Sequence, residues 1–107
     1  MPGFDVEWDD AERMDAFFES ERRAGNADMR GVTVQAAGEA AADPNRVSKT
    51  LNEVHRNVLG YSPSAGAVLF VRVRTDAYTP LTGKWHGVDA RRATAAEEIE
   101  YRERQRS

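Results

Sequence analysis

Residues 43–60 read DPNRVSKTLNEVHRNVLG, and the period assigned to them decides the fold. Asp43 has an N-cap side chain, Pro44 suits a first helical position, and Gly60 is a natural stop. Val47, Leu51, Val54 and Val58 recur at spacings of four, three and four, one apolar stripe at helical period. The stretch therefore predicts a helix near 44–59.

Working outward, YSPSAG (61–66) reads as a turn and 67–75 (AVLFVRVRT) as a strand. Leu69, Val71 and Val73 share one parity, and Arg72 and Arg74 share the other. TDAYTPLTG (75–83) is a loop broken by Pro80 and Gly83, and KWHGV (84–88) is a return strand. Toward the start, FDVEW (4–8) alternates Phe4, Val6 and Trp8 against Asp5 and Glu7, the pattern of a half-buried strand. Asp9 and Asp10 can cap a helix over 10–24, with Met14, Phe17 and Phe18 as its stripe and Gly25 as its stop. Residues 32–42 mix strand-like valines with an alanine run, and the alanines favour a helix. Residues 89–107 (DARRATAAEEIEYRERQRS) predict a charged helix whose only sizeable apolar groups are Ile99 and Tyr101. Its Glu98–Arg102 and Glu100–Arg104 spacings suit i,i+4 ion pairs.

The expected architecture is α+β: a small sheet of strands near 4–8, 67–75 and 84–88, packed on helices near 10–24, 32–42 and 44–59. Residues 1–88 form the domain, and 89–107 a helical extension. A chain of 107 residues supports one modest core.

Asp5 and Glu7 on one strand and Arg72 and Arg74 on another suggest cross-strand charge pairing on a shared outer face. Phe70 lies on the same parity as the arginines, which predicts a partial cover over that face, either the C-terminal helix or another subunit.

Composition narrows the chemistry. Cysteine is absent, which removes disulfides, thiol nucleophiles and thiolate metal sites. Two histidines do not make a structural metal site, and the acids of residues 5–21 lack the spacing of a calcium loop. His55 reads as a boundary residue of the 44–59 stripe. His86 in KWHG is the one conceivable general base, but no serine or acid at a telling spacing completes a triad. GYSPSAG lacks the lysine and the preceding strand of a phosphate loop, and no cofactor motif or small-molecule site is evident. The longest apolar run, 65–71, is too short to span a bilayer, and MPGFDVEWDD does not have the pattern of a signal peptide. A cytoplasmic protein, or one built into a virion assembled there, is expected.

Net charge is −3, unevenly spread: residues 1–21 carry −7 and the remainder +4. Such a molecule can attract copies of itself head to tail. Residues 89–107 hold five arginines and five acids, too balanced for the concentrated positive charge that phosphate binding requires. The expectation is a non-catalytic assembly subunit that binds copies of itself or a larger protein complex, for example a virion neck, connector or tail component. Tyr78 and Trp85 are the expected aromatic contacts, and Arg91, Arg92, Arg102 and Arg104 the polar ones. The alternative is a small regulatory nucleic-acid-binding protein using Arg72, Arg74 and the arginine-containing tail.

Overall fold

A computed structural model describes residues 5–8, 10–75 and 84–105. Its centre is a five-stranded mixed sheet: β1 (Asp5–Glu7), β2 (Val47–Thr50), β3 (His55–Ser62), β4 (Ala67–Thr75) and β5 (Lys84–Arg92). The spatial order is β1-β5-β4-β3-β2, with β1 parallel to β5 and every other pair antiparallel. Helices α1 (Ala11–Arg23) and α2 (Val34–Ala42) join β1 to β2, and α3 (Ala95–Gln105) follows β5. The α+β architecture expected from sequence is therefore present.

The helix expected over 44–59 is not formed; those residues make the β2–β3 hairpin. Two local devices explain the change. Asp43 ends α2 as its C-cap rather than starting a new helix, and its carboxylate accepts the Asn45 N–H at 2.8 Å. Asn52 then turns the chain, its side-chain oxygen accepting the N–H groups of Val54 and His55 at 2.9 Å each. Val47, Thr50, Val54 and Val58 are β-branched residues that suit a pleated surface. The helical stripe was a coincidence of spacing: Val58 enters the core, Val47 is buried under a different layer, and Leu51 stands half exposed. Gly60 is not a helix stop. A Cβ there would lie 1.9 Å from the Ala40 carbonyl oxygen, so glycine is what lets α2 cross β3 at close range.

Helix α1 starts as expected, with the Asp10 carboxylate accepting the Arg13 N–H at 3.1 Å, and Gly25 ends its C-terminal turn at φ 90°. Thr33 caps α2 through the Ala36 N–H at 3.0 Å. The strand expected at 84–88 runs on to Arg92, so the C-terminal helix begins six residues later than expected. A capping box sets the new start: Glu97 N–H donates to the Thr94 hydroxyl at 3.2 Å, and Thr94 N–H donates to the Glu97 carboxylate at 2.8 Å.

One sheet face receives α1 and α2. Phe18, Val32, Ala36, Ala37 and Ala40 meet Val58, Leu69, Val71, Val73 and Ala90 there in a continuous core. Alanines on α2 bring the helix close to the sheet, and Phe18 fills the space beside it, with Trp8 edge-on at 6.1 Å. The opposite face carries α3. No residue of α3 is fully buried, yet Val47 and Leu59 on that face are each only 5% exposed. No helix among the described residues is long and apolar enough to cross a membrane.

Candidate binding groove

Strand order decides what the charged residues of the outer face can do. β5 lies between β1 and β4, so Asp5 and Glu7 do not face Arg72 and Arg74 across a strand pair as expected. Glu7 and Arg74 instead flank His86, each in register with it from opposite sides. The Asp5 side chain lies outside what the structure describes, as does Tyr78 with the whole of 76–83. Arg72 is in register with Asn57 and Asp89, and its Nε donates to the Asn57 oxygen at 3.1 Å. Trp85 is not at a hairpin tip. It pairs with Val6 in β1, packs against the core, and lies under the Arg56 guanidinium, 5.1 Å from the ring centroid.

The arginines of the former tail divide into two groups. Arg91 belongs to β5, and its guanidinium forms a fork with Glu97 at 2.7 and 3.1 Å while stacking on Phe70 at 4.2 Å. Phe70 is thus covered by a side chain of β5, which Glu97 of α3 holds in place, rather than by the helix itself or another subunit. Burial opposes charge on Glu97, but the Arg91 fork and the Thr94 N–H more than offset it and hold the carboxyl below its usual range. The same fork raises the Arg91 guanidinium further. Arg92 donates to the Arg30 carbonyl at 3.0 Å. Arg102 and Arg104 are exposed on α3. The expected Glu98–Arg102 ion pair is not formed, while Glu100 pairs with Lys49 of β2.

Two carboxylate junctions hold the layers together, one buried at Asp43 and one part-exposed at Glu39. The Asp43 carboxylate accepts from the Tyr61 N–H at 2.8 Å and the Tyr101 hydroxyl at 2.5 Å, joining α2, β3 and α3. Burial and that acceptor raise the Tyr101 phenol well above its ordinary range. On α2, Glu39 accepts from the Ser64 N–H at 2.9 Å, the Ser64 hydroxyl at 2.7 Å and the Ser62 hydroxyl at 2.8 Å. These bonds, led by the Ser64 N–H, hold its carboxyl at about 2. The end of β3 and the turn at 63–66 are therefore tied to α2 by a carboxylate.

The surface that sequence reading missed lies where α1 passes β5. A cleft of about 290 Å3 is lined by Trp8, Asp10, Arg13, Met14, Phe17 and Gly87. Trp8 covers Gly87 so closely that a Cβ there would sit 2.4 Å from the indole ring. A second hollow of about 370 Å3 shares Met14 and Phe17 and adds Arg72, Val88 and Asp89. A third, of about 180 Å3, runs from Phe17 past Glu21, Asn26 and Asp28 to Asp89 and Arg91. Phe17 is common to all three, is 50% exposed, and stands beside Val88 at 37%.

The cause is local. Adjacent Phe17 and Phe18 point about 100° apart on a helix, so only Phe18 reaches the core. Val88 is the extra residue of a bulge: Arg72 pairs with Asp89 and Val73 with Gly87, leaving Val88 opposite neither. The doublet FF at 17–18 was the available signal for an outward aromatic; the bulge left no signature in KWHGVDARR.

β1 pairs only with Lys84–His86, so β5 runs on past it as an edge. That edge is blunted: the Asp89 carboxylate takes the Ala90 N–H at 2.8 Å, and the Arg91 guanidinium donates to the Arg92 carbonyl at 3.1 Å. Recognition here therefore falls to side chains rather than to an added strand. Among the described residues, no three His, Asp or Glu side chains come together to hold a metal ion. The sequence matches no family model and no curated protein, and no solved structure matches the fold.

Proposed function

We propose that the protein is a non-catalytic assembly subunit that binds other protein, copies of itself or a larger complex, through the groove around Phe17. The observation that carries this is the continuity of apolar surface from half-buried Trp8 and Met14 to exposed Phe17 and Val88. Aromatic and Met side chains are the residue types that concentrate binding energy at protein interfaces. The groove carries four acids on its rim, Asp10, Glu21, Asp28 and Asp89, against Arg13, Arg72 and Arg91, a balance that lacks the concentrated positive charge a polyanionic ligand requires. Arg91 is neutralised by Glu97, which further weakens the nucleic-acid alternative.

Replacing Phe17 with a photo-crosslinking amino acid tests the proposal. Illumination in cells should give discrete protein adducts at position 17 and none at an exposed control position such as Glu53. Recovery of nucleic-acid adducts, or of no adduct, would reject the proposal.

A further inference from the structure

The groove has a complement elsewhere on the same chain. Helix α3 uses one side to grip its own sheet, through Glu97 to Arg91, Glu100 to Lys49, Tyr101 to Asp43, and the Gln105 amide to the Asn45 carbonyl at 2.9 Å. Its outward side carries Ile99, 54% exposed, flanked on one side by exposed Arg102, which is held by no ion pair among the described residues, and on the other by exposed Glu103. Three residues apart, Ile99 and Arg102 lie on one helix face about 4.5 Å apart along the axis. Ile99 is the one large apolar side chain of α3 left over once Tyr101 is committed to Asp43.

The groove offers the matching order. Its central section is formed by Met14, Phe17 and Val88 with Arg72 and Asp89 at its side, and beyond Phe17 come Glu21 and Asp28. Arg91 at that end is already neutralised by Glu97, so the local balance is negative. An apolar side chain followed by a guanidinium fits an apolar hollow followed by carboxylates. Within one molecule the two surfaces do not meet. The groove sits at the β1–β5 edge, and the clamps to Asp43, Asn45 and Lys49 hold the second half of α3 over β3 and β2, at the opposite edge.

We infer that the groove of one molecule receives the Ile99–Arg102 face of α3 from a second copy, so that subunits join head to tail. This rests on the groove being the binding surface and names its occupant. The contact is heterologous: each molecule keeps an empty groove at one end and an unused α3 at the other, and growth continues into a ring or a filament. α3 is already pinned to its sheet, so little ordering is required on docking. One Ile and one Arg form a small contact, and association should appear at micromolar to millimolar concentration.

Two variants that cannot self-associate test the polarity. Phe17→Glu removes the groove and leaves α3 intact; Ile99→Glu removes the α3 face and leaves the groove intact. Both sites are exposed, so the fold should persist, checked by circular dichroism melts. Sedimentation equilibrium of the unaltered protein should show mass rising with concentration. Each variant alone should stay monomeric, and an equimolar mixture should give a 1:1 dimer that grows no further. Arg102→Glu should weaken association about tenfold or more. A monomeric unaltered protein, a mixture that stays monomeric, or an Ile99→Glu protein that associates normally would each overturn the inference. Crosslinked protein adducts at position 17 that persist in an Ile99→Glu background would leave the groove as a binding site while removing α3 as its occupant.

Discussion

The two faces of the sheet are closed by different means. The inner face buries Phe18, Leu69, Val71 and Val73 under alanine-rich α2, and close packing holds it. The outer face buries Val47 and Leu59 under a helix with no buried residue of its own, and polar clamps hold that helix: a guanidinium fork, an ion pair, and a phenol on a buried carboxylate. Packing energy is distributed over many contacts, whereas a clamp is lost with one atom. Inner-face substitutions should therefore weaken the whole fold, and outer-face substitutions should release α3 alone.

The largest effect that would sharpen this contrast is Phe18→Ala. It should cost about 3–5 kcal/mol in urea unfolding, with all elements lost together. Gly60→Ala follows. Its Cβ collides with the Ala40 backbone, which cannot swing aside as a side chain can, and a loss of about 3 kcal/mol is expected. Asp43→Ala strands the Tyr61 N–H and the Tyr101 hydroxyl and should cost about 1.5–3 kcal/mol. Amide exchange should then quicken in residues 95–105 and stay slow in α1; equal acceleration in both would erase the distinction between the faces.

Glu39→Gln should have the smallest effect at neutral pH, about 1–2 kcal/mol, and its signature is pH dependence. The Glu39 carboxyl is held at about 2 against an ordinary 4.5, so it stabilises the fold fully above 4.5 and loses that contribution as pH falls toward 2. The unaltered protein should lose denaturant resistance through that window, and the Gln variant should lose less of it. Parallel pH profiles for the two proteins would show that the Ser62–Ser64 turn does not depend on this carboxylate.

Much of the inner layer was legible in the sequence. Helix α1, helix α2 and strand β4 follow from a cap, a run of alanines and an alternation, all local signals. The 43–60 hairpin was not legible. The evidence against a helix there is tertiary: Gly60 is needed because α2 crosses it, and Asp43 caps the helix before it rather than the one expected after it. The charge rows were half legible. Parity put Arg72 and Arg74 on one face with Glu7, but parity does not reveal strand order, and β5 intervenes. The groove depends on a bulge and on helix azimuth, which no short motif encodes.

The pairing of β1 with β5 has a consequence for biosynthesis. Residues 5–7 have no sheet partner until residues 84–86 have left the ribosome. The Trp8–Gly87 contact and the hollow beside Val88 come later still, since they need both distant segments at once. A nascent chain can collapse α1 and α2 onto the middle strands well before then. The groove is therefore the last part of the molecule to be completed, and the edge of β4 stays unpaired in the nascent chain until β5 is made.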